Sequence, residues 1–172
     1  ILGNKMIGCF PDGLVKSFEC EFARRAMADV AFTDYDDNYF LIDIKTHNRD
    51  TNFNMPNLTS VERLAHLYED DKKYFVILLA EYKVVNGQIV FDEVRLFPIE
   101  YLMWNCLTIG ALGWGQIQIA NARVVNVNPN QTRKEWMLEL CEVMQRFYPK
   151  EISKIEKRLD YFENVGNLWK VK

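Results

Sequence analysis

Residues 29–46, DVAFTDYDDNYFLIDIKT, decide the fold. Two runs rich in β-branched and aromatic residues, 29–35 and 39–46, flank Asp36-Asp37-Asn38, which is turn chemistry. They read as the two strands of a hairpin. Within the second run, alternation sets Leu41, Asp43 and Lys45 on one face and Phe40, Ile42 and Ile44 on the other. Asp29 opens the partner strand, so its carboxylate can approach Asp43.

This arrangement carries chemistry. The carboxylates of Asp29 and Asp43, the main-chain carbonyl of Ile44 and waters make a hard oxygen site suited to Mg²⁺, with Mn²⁺ as a substitute. Such a site fits phosphodiester hydrolysis, because a divalent cation polarises a phosphoryl oxygen and acidifies a bound water. Lys45 then holds that water or stabilises charge on a pentacovalent phosphorus. A bare D-x-K triplet is also the polar face of an exposed strand carrying a minor ion pair. Three features set this one apart: the Asp-led strand before it, the hairpin-length spacer, and Leu41-Ile42 immediately ahead of Asp43.

Working outward, Phe10-Pro11-Asp12-Gly13 reads as a turn. The four-residue recurrence of Leu14, Phe18, Phe22 and Ala26 predicts a helix before the hairpin. A polar loop spans 47–58. Thr59-Ser60-Val61-Glu62 reads as a capping box opening a helix to about Tyr68. Residues 73–85 and 89–97 are strands joined at Asn86-Gly87, a hairpin turn signal. A short helix around 99–105 follows, then strands at 107–112 and 115–127. Thr132-Arg133-Lys134-Glu135 is a second capping box, for a helix ending near Tyr148, and Pro149 suits the first turn of one more, to about Asn164. The order predicts an α/β or α+β fold: one domain over 1–172, with a mixed central sheet flanked by helices.

Several of these segments resemble the type II restriction endonucleases of the HincII and HpaI kind, within the PD-(D/E)XK superfamily. They are ADVAF (28–32), NYFLIDIKTHN (38–48), PNLTSVERLAHLYEDDKKYFVILLAEYK (56–83), GALGWGQIQIANARV (110–124) and NQTRKEW (130–136). The resemblance runs from Met27 to about Phe162 and includes the order of the elements. It implies a restriction-endonuclease-like core that cleaves duplex DNA at a short specific site, leaving 5′-phosphates and a blunt cut. Asp29 and Asp43 would be metal ligands and Lys45 the catalytic lysine. The superfamily often adds a helix glutamate. Glu19 and Glu21 are the candidates, periodicity does not choose between them, and Glu19 is taken. Palindromic sites call for a two-fold symmetric reader, hence a homodimer, and a restriction enzyme works in the cytoplasm of a prokaryotic cell. The resembled enzymes carry many more residues ahead of the acidic strand, which leaves open a compact relative or one lacking an N-terminal segment.

Candidate DNA contacts lie in two places. His47, Asn48, Arg49, Asn52, Asn54 and Asn57 follow the D-x-K strand, where amide and guanidinium groups can meet phosphates and base edges. A polar surface loop and a hydrogen-bonded structural histidine are the plain alternatives. Trp114, Gly115, Gln116 and Gln118 match the region that reads bases in the resembled enzymes. Gly113-Trp114-Gly115 departs from their small or amide residues, so their recognition sequence does not transfer, and Trp114 could equally pack in the core. Lys150, Lys154, Lys157 and Arg158 form a basic helical stripe, either a grip on the DNA backbone or a solvated face.

Composition sets the bounds. With 49% hydrophobic and 13% aromatic residues the chain can bury a core, and no apolar run is long enough to span a membrane. The net charge of −3 runs against the basic balance common in nucleic-acid binders. Cys9, Cys20, Cys106 and Cys141 lack zinc-ligand spacing and read as small buried hydrophobes in a reducing compartment. Two other classes of function stay in view: a repair or recombination nuclease without sequence preference, and an inactive DNA-binding module.

Overall fold

The computed structural model describes residues 8, 10–20, 26–51, 57–120 and 124–172. It is an α+β fold, and it divides into two compact units, Ile1–Gln131 and Thr132–Lys172.

The first unit is built on two sheets. Strands β1 (Ser17–Glu19), β2 (Val30–Thr33), β3 (Tyr39–Asn48), β5 (Lys73–Val85) and β6 (Gln88–Pro98) form a five-stranded sheet in the order β1-β2-β3-β5-β6. Every pairing is antiparallel except the β3–β5 ladder, so the sheet is mixed, as the sequence predicts. A second sheet joins β4 (Asn57–Ser60), β8 (Gln116–Ile119) and β7 (Leu107–Gly110) in that order. Helix α1 (Val61–Leu67) leaves β4 directly and packs on β4 and β5.

The predicted 29–46 hairpin is present, with Val30 opposite Ile42 and Thr33 opposite Tyr39. Its turn is held by Asp34, whose carboxylate accepts from the Asp36 and Asn38 amides and from the Asn38 side chain. Asn86 and Gly87 both take positive φ, as a two-residue hairpin turn requires.

The expected helix over 14–26 is corrected where the chain is described. Residues 12–14 form a turn, Ser17–Glu19 is a strand, and 21–25 lie outside the described residues. The four-residue apolar recurrence gave way to sheet pairing. Phe18 lies level with Phe32, Phe40 and Tyr74 across four strands. Phe32 and Phe40 stack at 4.6 Å between ring centroids, and Phe40 and Tyr74 at 4.9 Å. Cross-strand aromatic contacts of this kind outweigh local helix preference. With Val30, Ile42 and Val76 they make the core on one face of the large sheet.

Other boundaries moved. The N-cap of α1 is Ser60 with no side-chain cap, because Thr59 is buried in β4 opposite Ile117. The predicted helix at 99–105 is two single turns of 3₁₀ helix, Ile99–Tyr101 and Trp104–Cys106. The strand expected over 115–127 ends at Ile119. Residues 121–123 lie outside the described residues, and Asn126 and Asn128 hydrogen-bond instead to the backbone of Met103 and Tyr101.

The second unit is one helix, α2 (Arg133–Lys170), rather than two. The predicted capping box is formed: Glu135 N–H donates to Thr132 Oγ1 at 3.2 Å and Thr132 N–H to Glu135 Oε2 at 2.9 Å. Pro149 sits inside the helix, where it removes a single i to i−4 hydrogen bond that 38 residues of helix tolerate. Cys141, expected buried, is exposed on α2; Cys106 is buried as expected, and Cys9 lies outside the described residues. No helix among the described residues is long and apolar enough to cross a membrane.

Candidate active site

The hairpin brings Asp29, Asp43 and Lys45 together. Asp29 N–H donates to the Ile42 carbonyl at 3.0 Å, which places Asp29 just ahead of β2 and across from Asp43. Its Oδ2 accepts from the Ile44 N–H at 2.8 Å. Within a strand the N–H and C=O of one residue face the same edge, so the Ile44 carbonyl also faces the edge where Asp29 stands. Asp43 is 6% exposed, and its Oδ2 lies 2.9 Å from Lys45 Nζ.

Burial pushes the Asp43 carboxyl up to about 6; Lys45 opposes that rise and the neighbouring Asp29 adds to it. Asp43 Oδ2 is buried and makes no hydrogen bond among the described residues, which leaves the ion pair with Lys45 as its compensation. Two adjacent carboxylates, one with a buried oxygen lacking a hydrogen bond, and a carbonyl on the same edge suit a hard divalent cation. Among the described residues no three His, Cys, Asp or Glu side chains converge, so the donors these residues could offer a cation here are two carboxylates and a carbonyl. Mg²⁺ accepts such sets readily because it gives up its waters reluctantly.

Asp43 and Lys45 open into a cleft of about 480 Å³ lined also by Asn57, Ser60, Glu62, Arg63 and Gln116. The sequence reading singled out Asn57 and Gln116 but missed Glu62 and Arg63. In the sequence Glu62 reads as half of a capping box. Ser60, not Thr59, occupies the N-cap position, without a side-chain cap, and Glu62 and Arg63 in the first turn of α1 line the cleft.

The remaining candidates are spread out. Gln118 donates from Nε2 to Asn57 Oδ1 across the β4–β8 pair, so it holds a cleft residue in place. Gly113 and Gly115 take positive φ in the turn before β8; Gly115 is buried and its carbonyl accepts from Val61 N–H, while Trp114 between them is 57% exposed rather than in the core. Asn48 caps its own turn by accepting from Asp50 N–H, and Arg49 reaches Asp92 at 3.4 Å, so neither turns into the cleft. His47 is 2% exposed, lies level with Glu81, and its Nδ1 has no hydrogen bond among the described residues. Glu19 is exposed on β1 opposite Ala31, not on a helix. Glu21, Asn52 and Asn54 lie outside the described residues. Compared with protein-family models and with curated proteins, the chain matches none.

Proposed function

We propose that the chain is a metal-dependent nuclease that hydrolyses phosphodiester bonds of duplex DNA, of the type II restriction endonuclease kind within the PD-(D/E)XK superfamily, acting as a homodimer in the prokaryotic cytoplasm. One observation carries the reading: Asp29, Asp43 and Lys45 come together at one end of the β2–β3 hairpin, and Asp43 and Lys45 line a cleft that also carries amide and charged side chains.

Asp29, Asp43 and the Ile44 carbonyl would hold Mg²⁺, which when bound supplies Lewis acidity toward a phosphoryl oxygen and a more acidic water. The rest falls to the chain itself. The Ile44 amide fixes the Asp29 carboxylate at 2.8 Å, so that carboxylate spends no freedom on being oriented. Lys45 offsets the Asp43 charge in the free protein and presents an ammonium where negative charge grows on phosphorus. Asn57 and Gln116, which line the cleft beside this pair, offer amide donors and acceptors to phosphate or base edges. Attack by water on phosphorus that breaks the bond to the 3′-oxygen, which leaves as the 3′-hydroxyl after taking up a proton, would leave the phosphate on the 5′ end.

Digestion of a long phage DNA with roughly 10 mM Mg²⁺, enough for a site that keeps several waters, tests this reading. Discrete fragments that vanish with EDTA and with Asp43→Ala are expected. A smear identifies a nuclease without sequence preference. Intact DNA, with a gel shift in Ca²⁺, identifies an inactive binding module and overturns the enzyme reading.

A further inference from the structure

The small sheet has two unlike faces. Leu58, Thr59, Leu107, Ile117 and Ile119 fill the buried one. The other carries Asn57, Gln118 and Thr108 in one row across β4, β8 and β7, and Ser60, Gln116 and Gly110 in the next. A register shift in β4 turns both Leu58 and Thr59 to the core, and so brings Asn57 and Ser60 to the same polar side. None of the six residues on that side is buried. Asn57, Ser60 and Gln116 line the cleft beside Asp43 and Lys45, and Gln118 stands behind Asn57.

Gln118 is seated on a glycine. A Cβ at Gly110 would stand 2.8 Å from Gln118 Oε1 and 2.9 Å from its Cδ and Nε2, closer than a side chain tolerates. The φ of Gly110 is not positive, so its backbone does not call for glycine; the amide lying over it does. From that seat Gln118 Nε2 donates to Asn57 Oδ1. With its carbonyl engaged in this way, the Asn57 amide keeps its NH₂ for the cleft.

We propose that Gln118 is a positioning residue that acts through Asn57: seated on the bare Cα of Gly110, it clamps the Asn57 amide so that its NH₂ meets a hydrogen-bond acceptor on DNA. That acceptor is a phosphate oxygen or an oxygen or nitrogen on a base edge. An amide free to turn accommodates donors and acceptors alike, whereas a clamped one refuses a donor. The inference rests on the reading of the cleft as a DNA site, and it adds the two residues behind the cleft that set what the site accepts.

The test is binding of the full chain to a pool of short random-sequence duplexes in Ca²⁺, read by gel shift with the bound fraction sequenced. Asn57→Ala should weaken binding by about five- to tenfold, the worth of one hydrogen bond. Gln118→Ala should weaken it by about two- to tenfold, the cost of ordering one side chain on binding, and should add nothing to Asn57→Ala. Gly110→Ala should match Gln118→Ala and cost nothing further in the Gln118→Ala protein, where the space over residue 110 is open. The Gln118 and Asn57 variants decide the matter even where Gly110→Ala fails to fold. Gln118→Glu can only accept from Asn57, so it turns the Asn57 carbonyl to the substrate and should weaken binding more than Gln118→Ala. That excess should shrink in the Asn57→Ala protein, where only the added charge remains; a merely structural glutamine would produce no such reversal. A change in the enriched sequences at one position with Asn57→Ala identifies a base acceptor, and unchanged sequences identify a phosphate. Losses that multiply in the Gln118→Ala/Asn57→Ala protein, or wild-type binding by Gln118→Ala or Gln118→Glu, overturn the proposal and leave the nuclease reading standing. A wild type that binds no duplex overturns that reading and the role of the clamp with it.

Discussion

The two faces of β3 are built on opposite terms. On one, Phe40 stacks between Phe32 and Tyr74 beside buried Ile42 and Val76, and every contact there gains from leaving water. On the other, Asp43 is buried as an acid whose charge the surroundings disfavour, relieved mainly by one lysine. A strand gains nothing in stability from such a residue. Its place at the mouth of a cleft, with a second carboxylate across the hairpin, is what the proposed chemistry needs.

The comparison predicts that substitutions on the two faces fail in different ways. Lys45→Ala and Asp43→Ala should lower cleavage by about a thousandfold or more, the scale of removing a charge that acts in the transition state. Their thermal unfolding should show no loss of a core. Phe32→Ala should do the reverse: it is buried in the aromatic ladder, and its truncation should destabilise the protein by about 3–5 kcal/mol. Cleavage per folded molecule should then stay at the wild-type rate. Digestion and denaturant titration on the same preparations separate the two, and wild-type cleavage by Lys45→Ala would break the contrast.

A sharper version uses pH without metal. The folded pKa of Asp43, about 6, lies above the unfolded value near 3.8. Between these values the folded state binds more protons than the unfolded one, so this group makes stability fall as pH rises from about 4 to 6 and leaves it lower above that. Asp43→Asn removes the effect. In EDTA it should be more stable than wild type by on the order of 1–3 kcal/mol above pH 6, with the gap closing toward pH 4. Denaturant midpoints measured across that range check it, and a gap that widens on acidification would mean that Asp43 is held ionised.

The polar face of β3 was legible in the sequence because its period is two and its turn residues are local. Asp43, Lys45 and the approach of Asp29 follow from strand alternation and a hairpin spacer. The region before it misled because the four-residue recurrence of Leu14 and Phe18 imitates a helix, and the partners that settle the matter, Phe32, Phe40 and Tyr74, lie 14 to 56 residues away. The cleft was half legible for a similar reason. Asn57 and Gln116 are 59 residues apart in sequence and line one cleft because β4 pairs with β8, a pairing no local pattern announced. Glu62 escaped notice because a capping box explained it without reference to anything distant.

The smallest effects belong to the cleft wall, and their signs are what test it. Gln116 lines the cleft as an amide that can donate to phosphate, so Gln116→Ala should weaken DNA binding by about 1 kcal/mol, roughly five- to tenfold, the usual worth of one hydrogen bond. Glu62 lines the same cleft as a carboxylate facing a polyanion. Glu62→Gln should therefore tighten binding in Ca²⁺ at low ionic strength, and the gain should shrink as salt rises, because screening weakens a repulsion between charges not in contact. Gel shifts at two salt concentrations read both. If Glu62→Gln instead weakens binding only when the divalent cation is present, the glutamate belongs with Asp29 and Asp43, and the polar face of the site reaches from β3 onto the first turn of α1.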